Sequence, residues 1–334
     1  MKTFIALTAA CMLLLSCNSN APKKGVPVNE VQYLELGGEK QYIEISGESD
    51  TKPVLLFLHG GPGWPQTPFL RYFNKDLTKD FILVSWDQRG SGLSYVSNPN
   101  PANMTLQQIV SDAHDLTAYL KSKFKQQKIY LAGYSWGTIV GMQLVLQYPE
   151  DYEAYIAISQ IINMKKGMAV TQDWLKDQAT KANDTATLNS LLKLKDTAFC
   201  KTDLDCFMQQ YQLLNKYKGA VYNDSIAAIE QKVMGMYKDY KNYNWNKAFE
   251  FSSGHLAKDM FTADFTKVER LNVPAYFLAG KYDWNVPSVI TGMFEENLIA
   301  PEKKIFWFKA SAHALLEEEA AEFNEIMRFK IIRN

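Results

Sequence analysis

The sequence has little histidine and cysteine and no surplus of either charge. Four His and four Cys occur among 334 residues, and 36 Lys plus Arg balance 36 Asp plus Glu. Nucleic-acid binding is therefore not expected, because it needs a basic surplus to displace counterions. The chain is long enough to bury one large core, or one core and a smaller appended domain, and its hydrophobic fraction of 47% is typical of globular proteins.

The N-terminal segment is predicted to be a targeting signal that is separate from the fold. A positive start precedes an apolar run from Phe4 to Leu15, which is shorter than a comfortable membrane span and is typical of a signal peptide. The run ends in Leu-Leu-Ser-Cys17, which is similar to a bacterial lipobox, in which the Cys is lipidated after cleavage; an ordinary secretory signal is the alternative. We predict a lipoprotein-type signal peptide over residues 1–17, lipidation at Cys17 and a tether over residues 18–30. The mature protein is expected to be exported, facing the periplasm or the cell exterior, with the lipid anchor as its contact with the membrane.

Export affects how the remaining cysteines are interpreted. Cys200 and Cys206 would then fold in an oxidising environment, so a disulfide between them is the favoured prediction. A helix between the two residues would hold them too far apart to bond, which is the alternative. Two cysteines with no nearby His ligand are too few for a metal site, so no metal is expected.

Short apolar runs predict a mostly parallel β-sheet. Ahead of them, residues 31–36 and 41–45 alternate polar and apolar side chains on either side of Gly37-Gly38, which predicts an antiparallel hairpin with one buried face. Nearly continuous apolar runs then occur at Val54–Leu58, Phe81–Trp86, Lys128–Ala132, Tyr155–Ile158, Val273–Ala279 and Lys304–Phe308. Strands that are apolar on both faces belong in the middle of a parallel sheet that helices cover.

Helical patterns separate these runs and also fill a long insertion. Helices are predicted over residues 105–124 and 137–147, and a closing helix is predicted over residues 314–331. Residues 163–265 carry no convincing parallel strand, and the helices expected there cover residues 174–179, 204–214 and 226–240. An insertion of this length is usually a lid or a binding element. The predicted domains are an α/β sheet core in two segments, 31–162 and 266–334, and a helical cap, 163–265.

A Gly-x-Ser-x-Gly motif provides a candidate nucleophile. Gly133-Tyr134-Ser135-Trp136-Gly137 follows a predicted buried strand and opens a predicted helix. A nucleophile elbow needs small residues around the serine, because the strained turn that exposes the hydroxyl leaves no room for Cβ atoms. The Trp136 amide would lie at a helix N-terminus, where the helix dipole favours a developing oxyanion.

The scarcity of histidine makes the search for a general base short. His59 lies in a loop directly after a strand, His114 lies within a helix, and His255 lies in the insertion and is the main competitor. His313 follows the last predicted strand and precedes the last helix, where open α/β sheets place catalytic groups. His313 is therefore the predicted base for Ser135.

The carboxylate that orients this base should lie between Ser135 and His313 and should follow a strand. Asp283 satisfies both conditions, whereas no predicted strand delivers Asp259 or Asp264. The order Ser, Asp, His along the chain is the one that α/β-hydrolases use.

Two glycine-containing loops complete the predicted site. In His59-Gly-Gly-Pro-Gly63 the glycines allow a tight turn, and the Gly61 amide is predicted to bind the oxyanion together with the amide of Trp136; a plain turn is the alternative. In Asp87-Gln-Arg-Gly-Ser-Gly92, the charged residues Asp87 and Arg89 are interpreted as a pair that fixes the loop.

Taken together, these segments resemble the proline iminopeptidase branch of the α/β-hydrolases. The resemblance rests on His59-Gly-Gly-Pro-Gly, Asp87-Gln-Arg-Gly-Ser-Gly-Leu-Ser, Gly133-Tyr-Ser-Trp-Gly and Gly280-Lys-Tyr-Asp, and it covers the predicted sheet core. It implies an α/β-hydrolase fold with a helical cap. It also implies a site made of Ser135, Asp283 and His313 as the triad and Gly61 and Trp136 as oxyanion donors.

The chain departs from that family pattern at Tyr134 and Ala312, where Gly is usual. Members of the branch that act as iminopeptidases also bind the amino group of the substrate through carboxylates of the cap. Glu153, Glu230 and Glu250 are the candidates for this role, and the sequence does not distinguish between them.

The predicted function is hydrolysis of an amide or an ester through an acyl-enzyme, by an exported serine hydrolase. By resemblance, the reaction would be release of N-terminal proline from small peptides. An esterase or lactonase acting on small carboxylic esters is one alternative, and a surface binding protein without turnover is another. The chemistry requires no cofactor, and the expected partner is a small molecule or a short peptide.

Overall fold

The computed structural model describes residues 25–95, 100–194 and 202–332. The predicted signal peptide, its lipidation site Cys17 and most of the predicted tether lie outside the described residues, and so does Cys200. Across the described ranges, no helix has both the length and the apolar composition that crossing a membrane requires.

An eight-stranded sheet forms the centre of the protein. Its strands in chain order are β1 (Val28–Leu36), β2 (Glu39–Gly47), β3 (Val54–Leu58), β4 (Ile82–Trp86), β5 (Ile129–Tyr134), β6 (Tyr152–Ile158), β7 (Ala275–Gly280) and β8 (Lys303–Phe308). Their spatial order is β1-β2-β4-β3-β5-β6-β7-β8. Strand β2 is antiparallel to both β1 and β4, and all the other neighbouring pairs are parallel. The prediction of a mostly parallel sheet with an N-terminal antiparallel hairpin is confirmed.

The central strands are apolar along their whole length because helices cover both faces of the sheet. The helices are α1 (Thr67–Phe73), α2 (Leu106–Phe124), α3 (Trp136–Gln147), α4 (Met164–Lys181), α5 (Thr185–Lys193), α6 (Asp203–Lys216), α7 (Asp224–Met234), α8 (Trp245–Thr262), α9 (Ser288–Asn297), α10 (Leu315–Glu318) and α11 (Ala320–Ile326). On β3, Leu56 and Leu58 join the core beneath α2, α3 and α9. The alternate residues Leu55 and Phe57 join the core beneath α1 and α11.

The segment between β6 and β7, called the cap below, contains helices α4 to α8. Its two ends lie side by side, because Asn163 and Asp264 form an isolated antiparallel bridge and the Phe265 amide donates to the Ile162 carbonyl at 2.7 Å. The cap also has a small apolar cluster of its own, formed by Leu175, Leu191, Leu194, Leu214 and Ala220. It is therefore a helical layer whose chain leaves and re-enters the sheet core at adjacent positions.

Several helices differ from those predicted. The helix predicted over residues 226–240 ends at Met234, and Gly235 follows it as the C-cap. The predicted closing helix is interrupted at Glu319, whose backbone has φ −121° and whose carboxylate accepts a hydrogen bond from the Ala310 amide at 2.9 Å. Helices α1, α5, α8 and α9 have no counterpart among the predicted helices. The interior of α8 contains Ser252-Ser-Gly254, residues with low helix propensity, so its pattern is weak.

Candidate active site

Ser135 occupies a strained turn between β5 and α3. Its backbone has φ 52° and ψ −118°, a conformation that non-glycine residues rarely adopt and that marks functional sites. A Cβ atom on Gly133 would lie 2.6 Å from the Gly137 carbonyl oxygen, and one on Gly137 would lie 2.2 Å from the Leu58 carbonyl oxygen. Both glycines of the motif are therefore required by the close packing of β5, α3 and β3.

Ser135, His313 and Asp283 form one hydrogen-bonded chain. His313 Nε2 lies 3.0 Å from Ser135 Oγ, and His313 Nδ1 lies 2.9 Å from Asp283 Oδ2. The other oxygen of Asp283 accepts hydrogen bonds from the amides of Asn285 and Val286, at 3.0 and 2.8 Å. Because the carboxylate accepts the Nδ1 proton, the Nε2 lone pair faces the serine hydroxyl.

The three side chains meet because each follows the carboxyl end of a parallel strand. Ser135 follows β5, Asp283 follows β7 and His313 follows β8. The cap also holds the loop that carries the imidazole, since the His313 amide donates to the Ala220 carbonyl at 3.0 Å. The position of His313 therefore depends on the cap as well as on the sheet.

Tyr134 and Ala312, the two departures from the family pattern, both support the loop of His313. The Tyr134 hydroxyl donates to the His313 carbonyl at 3.2 Å, and the centroids of the two rings are 5.3 Å apart. Burial holds the pKa of the Tyr134 phenol well above its usual value, so the hydroxyl remains a neutral donor. The Ala312 amide donates to a Glu318 carboxylate oxygen at 2.7 Å.

A buried histidine shapes the loop of residues 59–63. His59 Nε2 accepts a hydrogen bond from the Gln88 amide at 3.0 Å, and its Nδ1 lies 2.8 Å from the Gly60 carbonyl oxygen. Burial lowers the pKa of His59 to about 4, so the ring is neutral at pH 7. Both ring nitrogens are engaged, and His59 therefore acts on the loop and not as a base for Ser135.

Two backbone amides lie close to Ser135 without another acceptor. Gly61 lines the same cavity as Ser135, and Trp136 is the first residue of α3. Within the described part of the chain, neither of these amides donates to a backbone carbonyl or a side chain. The two predicted oxyanion donors are therefore both available, and the N-terminus of α3 adds a favourable dipole.

Asp87 and Arg89 do not pair with each other, but Asp87 does fix its own loop, because its Oδ2 accepts a hydrogen bond from the Leu93 amide at 2.7 Å. Arg89 is fully buried and binds Asp112 of α2, with Nε 2.9 Å from Oδ2. Asp87 accepts hydrogen bonds from Thr67 Oγ1, at 2.9 Å, and from the hydroxyl of Tyr240 in the cap. Burial raises the pKa of Asp87 to about 6. Asp87 therefore connects the core to the cap, whereas Arg89 neutralises a buried charge on a helix.

The remaining candidates lie elsewhere. His114 Nε2 lies 3.1 Å from Asp151 Oδ2, and His255 is exposed on α8 with its Nδ1 2.8 Å from the Phe251 carbonyl oxygen. Cys206 is disulfide-bonded. Its predicted partner, Cys200, lies outside the described residues.

A cavity of about 430 Å³ lies between the sheet core and the cap, and both Ser135 and His313 line it. Most of its other side chains are apolar, including Trp64, Phe69, Phe207, Met208, Met234 and Met260. A wider cleft of about 750 Å³ between the N-terminal hairpin and α1 contains none of the candidate site residues. The cavity between core and cap is therefore the candidate substrate site.

Two glutamates supply the negative charge of this cavity, Glu230 of α7 and Glu317 of α10. Glu317 is buried. Its Oε1 accepts a hydrogen bond from the side-chain nitrogen Nε2 of Gln66 at 2.5 Å, and its Oε2 has no hydrogen-bond partner among the described residues. Burial raises the pKa of Glu230 to about 7. Burial and the nearby Glu230 charge hold the pKa of Glu317 well above its usual value. At neutral pH the pair therefore shares an incomplete negative charge.

Of the three glutamates considered from the sequence, Glu230 lines this cavity and the other two do not. Glu153 lies on β6, and Glu250 lies on the exposed side of α8. Glu317 is missing from the sequence-based candidates. Its position four residues after His313 is the signal that would have suggested it, because the residues just after a catalytic loop border the same cavity.

Comparison with known proteins establishes the family. The model of the serine aminopeptidase S33 family matches residues 50–320. The chain belongs to this family. It is 32% identical to the probable aminopeptidase YbaC of Bacillus subtilis, over 90% of this chain and 95% of that one. It is 24% identical to the proline iminopeptidase of Clostridioides difficile, over 88% of this chain and 95% of that one.

A solved structure, the proline iminopeptidase of Mycobacterium smegmatis, matches this S33 family member with a TM-score of 0.63 and 15% identity, over 90% of this chain and 96% of that one. The predicted α/β-hydrolase fold and the predicted proline iminopeptidase-like branch are confirmed. The protein is an α/β-hydrolase enzyme of the serine aminopeptidase family. A binding protein without turnover, one of the alternatives, is not supported by these similarities.

Gly137→Ala is expected to destabilise the protein strongly. The added Cβ would lie 2.2 Å from the Leu58 carbonyl oxygen and 2.8 Å from that of His59, so α3 and β3 would have to move apart. We expect the free energy of unfolding to fall by about 3 kcal/mol, as measured by urea denaturation. The matched control is Gly254→Ala in α8, where a Cβ meets nothing within 4 Å. It should be neutral or should stabilise the protein by up to about 1 kcal/mol, and equal effects of the two changes would contradict the packing argument.

Proposed function

We propose that this enzyme is a serine aminopeptidase that removes the N-terminal residue of small peptides. The observation that carries the proposal is the presence of Glu230 and Glu317 in the cavity that Ser135 also lines. A carboxylate pair inside an apolar cavity fits a substrate with a cationic amino group close to the bond that is cut. The aminopeptidase relatives are consistent with this substrate class.

In the proposed mechanism, His313 accepts the Ser135 proton while Oγ attacks the carbonyl carbon of the first residue. Asp283 holds the imidazole tautomer and stabilises the imidazolium. The Gly61 and Trp136 amides bind the oxyanion of the tetrahedral intermediate, each lowering the barrier by about 3 kcal/mol. His313 then protonates the leaving amine, and the carbon–nitrogen bond breaks to leave an acyl-enzyme. Water, deprotonated by His313, attacks this ester, the proton returns to the serine oxygen, and the free amino acid leaves.

The ammonium group of the substrate is proposed to lie between Glu230 and Glu317. Glu317 Oε2 has no other partner among the described residues, so it is available as an acceptor. Burial disfavours the ionised form of both carboxyls, and an ammonium group favours it. The substrate cation would therefore replace the proton that the pair holds in the empty cavity.

Hydrolysis of a small carboxylic ester or lactone is the second candidate function. The observation in its favour is the apolar lining of the cavity, together with the raised pKa values of both glutamates. At pH values below about 7 the pair is largely neutral, so an uncharged acyl group could be buried there as well. The same serine, histidine and aspartate would perform the reaction.

We also propose that the enzyme is exported and is attached to the membrane by a lipid on Cys17. The apolar run that ends in Leu-Leu-Ser-Cys17 supports this proposal. The first strand begins at Val28, so the ten residues or so after the lipid would serve as a tether to the sheet.

Ser135→Ala should abolish turnover and preserve the fold. We expect kcat for an aminoacyl 4-nitroanilide to fall by about 10⁴-fold or more, because the nucleophile is lost. Ser190→Ala, at a half-buried position of α5 that does not line the cavity, is the matched control and should retain activity. A substantial rate in Ser135→Ala would disprove the triad. Serine-dependent cleavage of a short-chain nitrophenyl ester without cleavage of any aminoacyl anilide would favour the esterase alternative.

The rate with a cationic substrate should depend on the ionisation of Glu230. Its pKa is raised to about 7, so the carboxylate forms as the pH rises through that value and attracts the ammonium group. We expect the ratio of kcat/KM for an aminoacyl anilide to that for an uncharged ester to rise between pH 6 and 7.5. The uncharged ester is cleaved by the same serine and histidine, so it serves as the reference for effects of pH that do not involve the amino group.

Glu230→Gln should flatten this pH dependence and lower the ratio at pH 7.5. Glu250→Gln, a change at an exposed glutamate of the cap, is the matched control and should leave the profile unchanged. A pH-independent ratio in the unaltered enzyme would argue against binding of the amino group by Glu230.

Cys17→Ala should prevent lipidation of the protein. Expressed from residues 1–334 in a bacterium, the unaltered protein is expected to incorporate labelled palmitate and to sediment with membranes. Cys11→Ala, a change within the apolar run, should still be labelled. Labelling of Cys17→Ala, or none in the unaltered protein, would refute the anchor.

A further inference from the structure

The cavity beside Ser135 is larger than a prolyl residue requires. Its volume is about 430 Å³. If each ligand atom takes about 30 Å³, the share of a water molecule in the liquid, the cavity holds on the order of 14 non-hydrogen atoms. A prolyl residue supplies only about half of that number, so the cavity has room for a larger first side chain than that of proline. An uncovered apolar wall contributes no binding energy.

Flexible apolar side chains form walls on different sides of the cavity. Met208, Met234 and Met260 come from α6, α7 and α8, respectively. Unbranched thioether side chains adapt to apolar groups of different shape. Such walls fit a range of large side chains better than they fit one compact ring.

The end of the cavity that would bind the amino group is continuous with this apolar wall. Glu230 and Met234 are four residues apart on α7, so their side chains lie next to each other on one helix face. Both line the cavity. A substrate whose ammonium group contacts Glu230 would therefore place its first side chain near Met234.

One cap segment of the cavity wall, residues 220–223, is held against the loop of His313. One Glu318 oxygen accepts hydrogen bonds from the amides of Tyr222 and Asn223, both at 2.6 Å, and the other accepts from the Ala312 amide. The rings of Tyr222 and Tyr282 stack with centroids 4.2 Å apart. Ala220 and Val221 of this segment line the cavity, so this part of its wall is fixed.

From these observations we infer that the enzyme prefers a bulky apolar N-terminal residue, such as Leu, Met or Phe, over proline. The inference rests on the proposed aminopeptidase function and specifies its substrate class. It differs from the proline release that the family resemblance implies.

A series of 4-nitroanilides of Pro, Ala, Leu and Phe tests this inference, with Ser135→Ala as the background. We expect kcat/KM for the Leu and Phe compounds to exceed that for Pro by more than about tenfold, since each added methylene group in a fitting pocket changes the rate by about that factor. Pro or Ala as the best substrate would overturn the inference and leave the aminopeptidase function intact. If none of the four is cleaved but a nitrophenyl ester is, the aminopeptidase function itself fails.

Met208→Trp tests whether the side chain of the substrate occupies this cavity. The larger indole should fill part of the volume and lower the Phe-to-Ala ratio of kcat/KM by about tenfold. Met236→Trp, at an exposed position that does not line the cavity, is the matched control and should leave the ratio unchanged. An unchanged ratio in Met208→Trp, with circular dichroism showing an intact fold, would overturn this placement.

Discussion

The strained backbone of Ser135 is the constraint on which the site depends. A non-glycine residue with φ 52° is unfavourable by about 1–3 kcal/mol and persists only where its surroundings allow nothing else. Here the Ser135 amide donates to the Ile158 carbonyl at 3.0 Å, and Gly137 packs against the Leu58 carbonyl. Strands β3, β5 and β6 must therefore be in register before the hydroxyl can face His313. The stability of the sheet is what positions the serine.

Three consecutive acidic residues join the sheet core, the cap and the histidine loop. Glu317 faces the cavity, Glu318 binds amides of both the cap and Ala312, and Glu319 binds the amide of Ala310. Successive side chains on a helical turn point in directions about 100° apart, so neighbouring carboxylates reach different surroundings. One short acidic run can thus contribute to substrate binding, to closure of the cap and to the shape of a loop.

The sheet, and the chain of hydrogen bonds from Ser135 to Asp283, could be predicted because each depends on local pattern. Buried strands are recognisable in the sequence as apolar runs. Because the chain has four histidines, few residues are candidates for the catalytic base. The side-chain partners of Asp87 and Arg89 could not be predicted, because no local pattern specifies them. Arg89 lies in a loop and binds Asp112 of α2, and Asp87 accepts a hydrogen bond from the Tyr240 hydroxyl of the cap. Helix α8 could not be predicted from its pattern, because its interior contains Ser252, which has low helix propensity. In the structure Ser252 is held by packing, and its hydroxyl donates a hydrogen bond to the Gly90 carbonyl at 2.7 Å.

The two ends of the cap are adjacent, and this affects how the sequence of the cap can vary in evolution. Asn163 and Asp264, at the two ends of the cap, are neighbours, so the cap is connected to the sheet core in the same way as a loop. The entropic cost of closing a loop grows only slowly with the length of the loop. Insertions, deletions or complete replacement of the segment can therefore remodel the cavity without altering the order of the strands. Substrate preference can diverge in evolution while the reaction chemistry stays the same, and these two positions are natural junctions for constructing chimaeric enzymes.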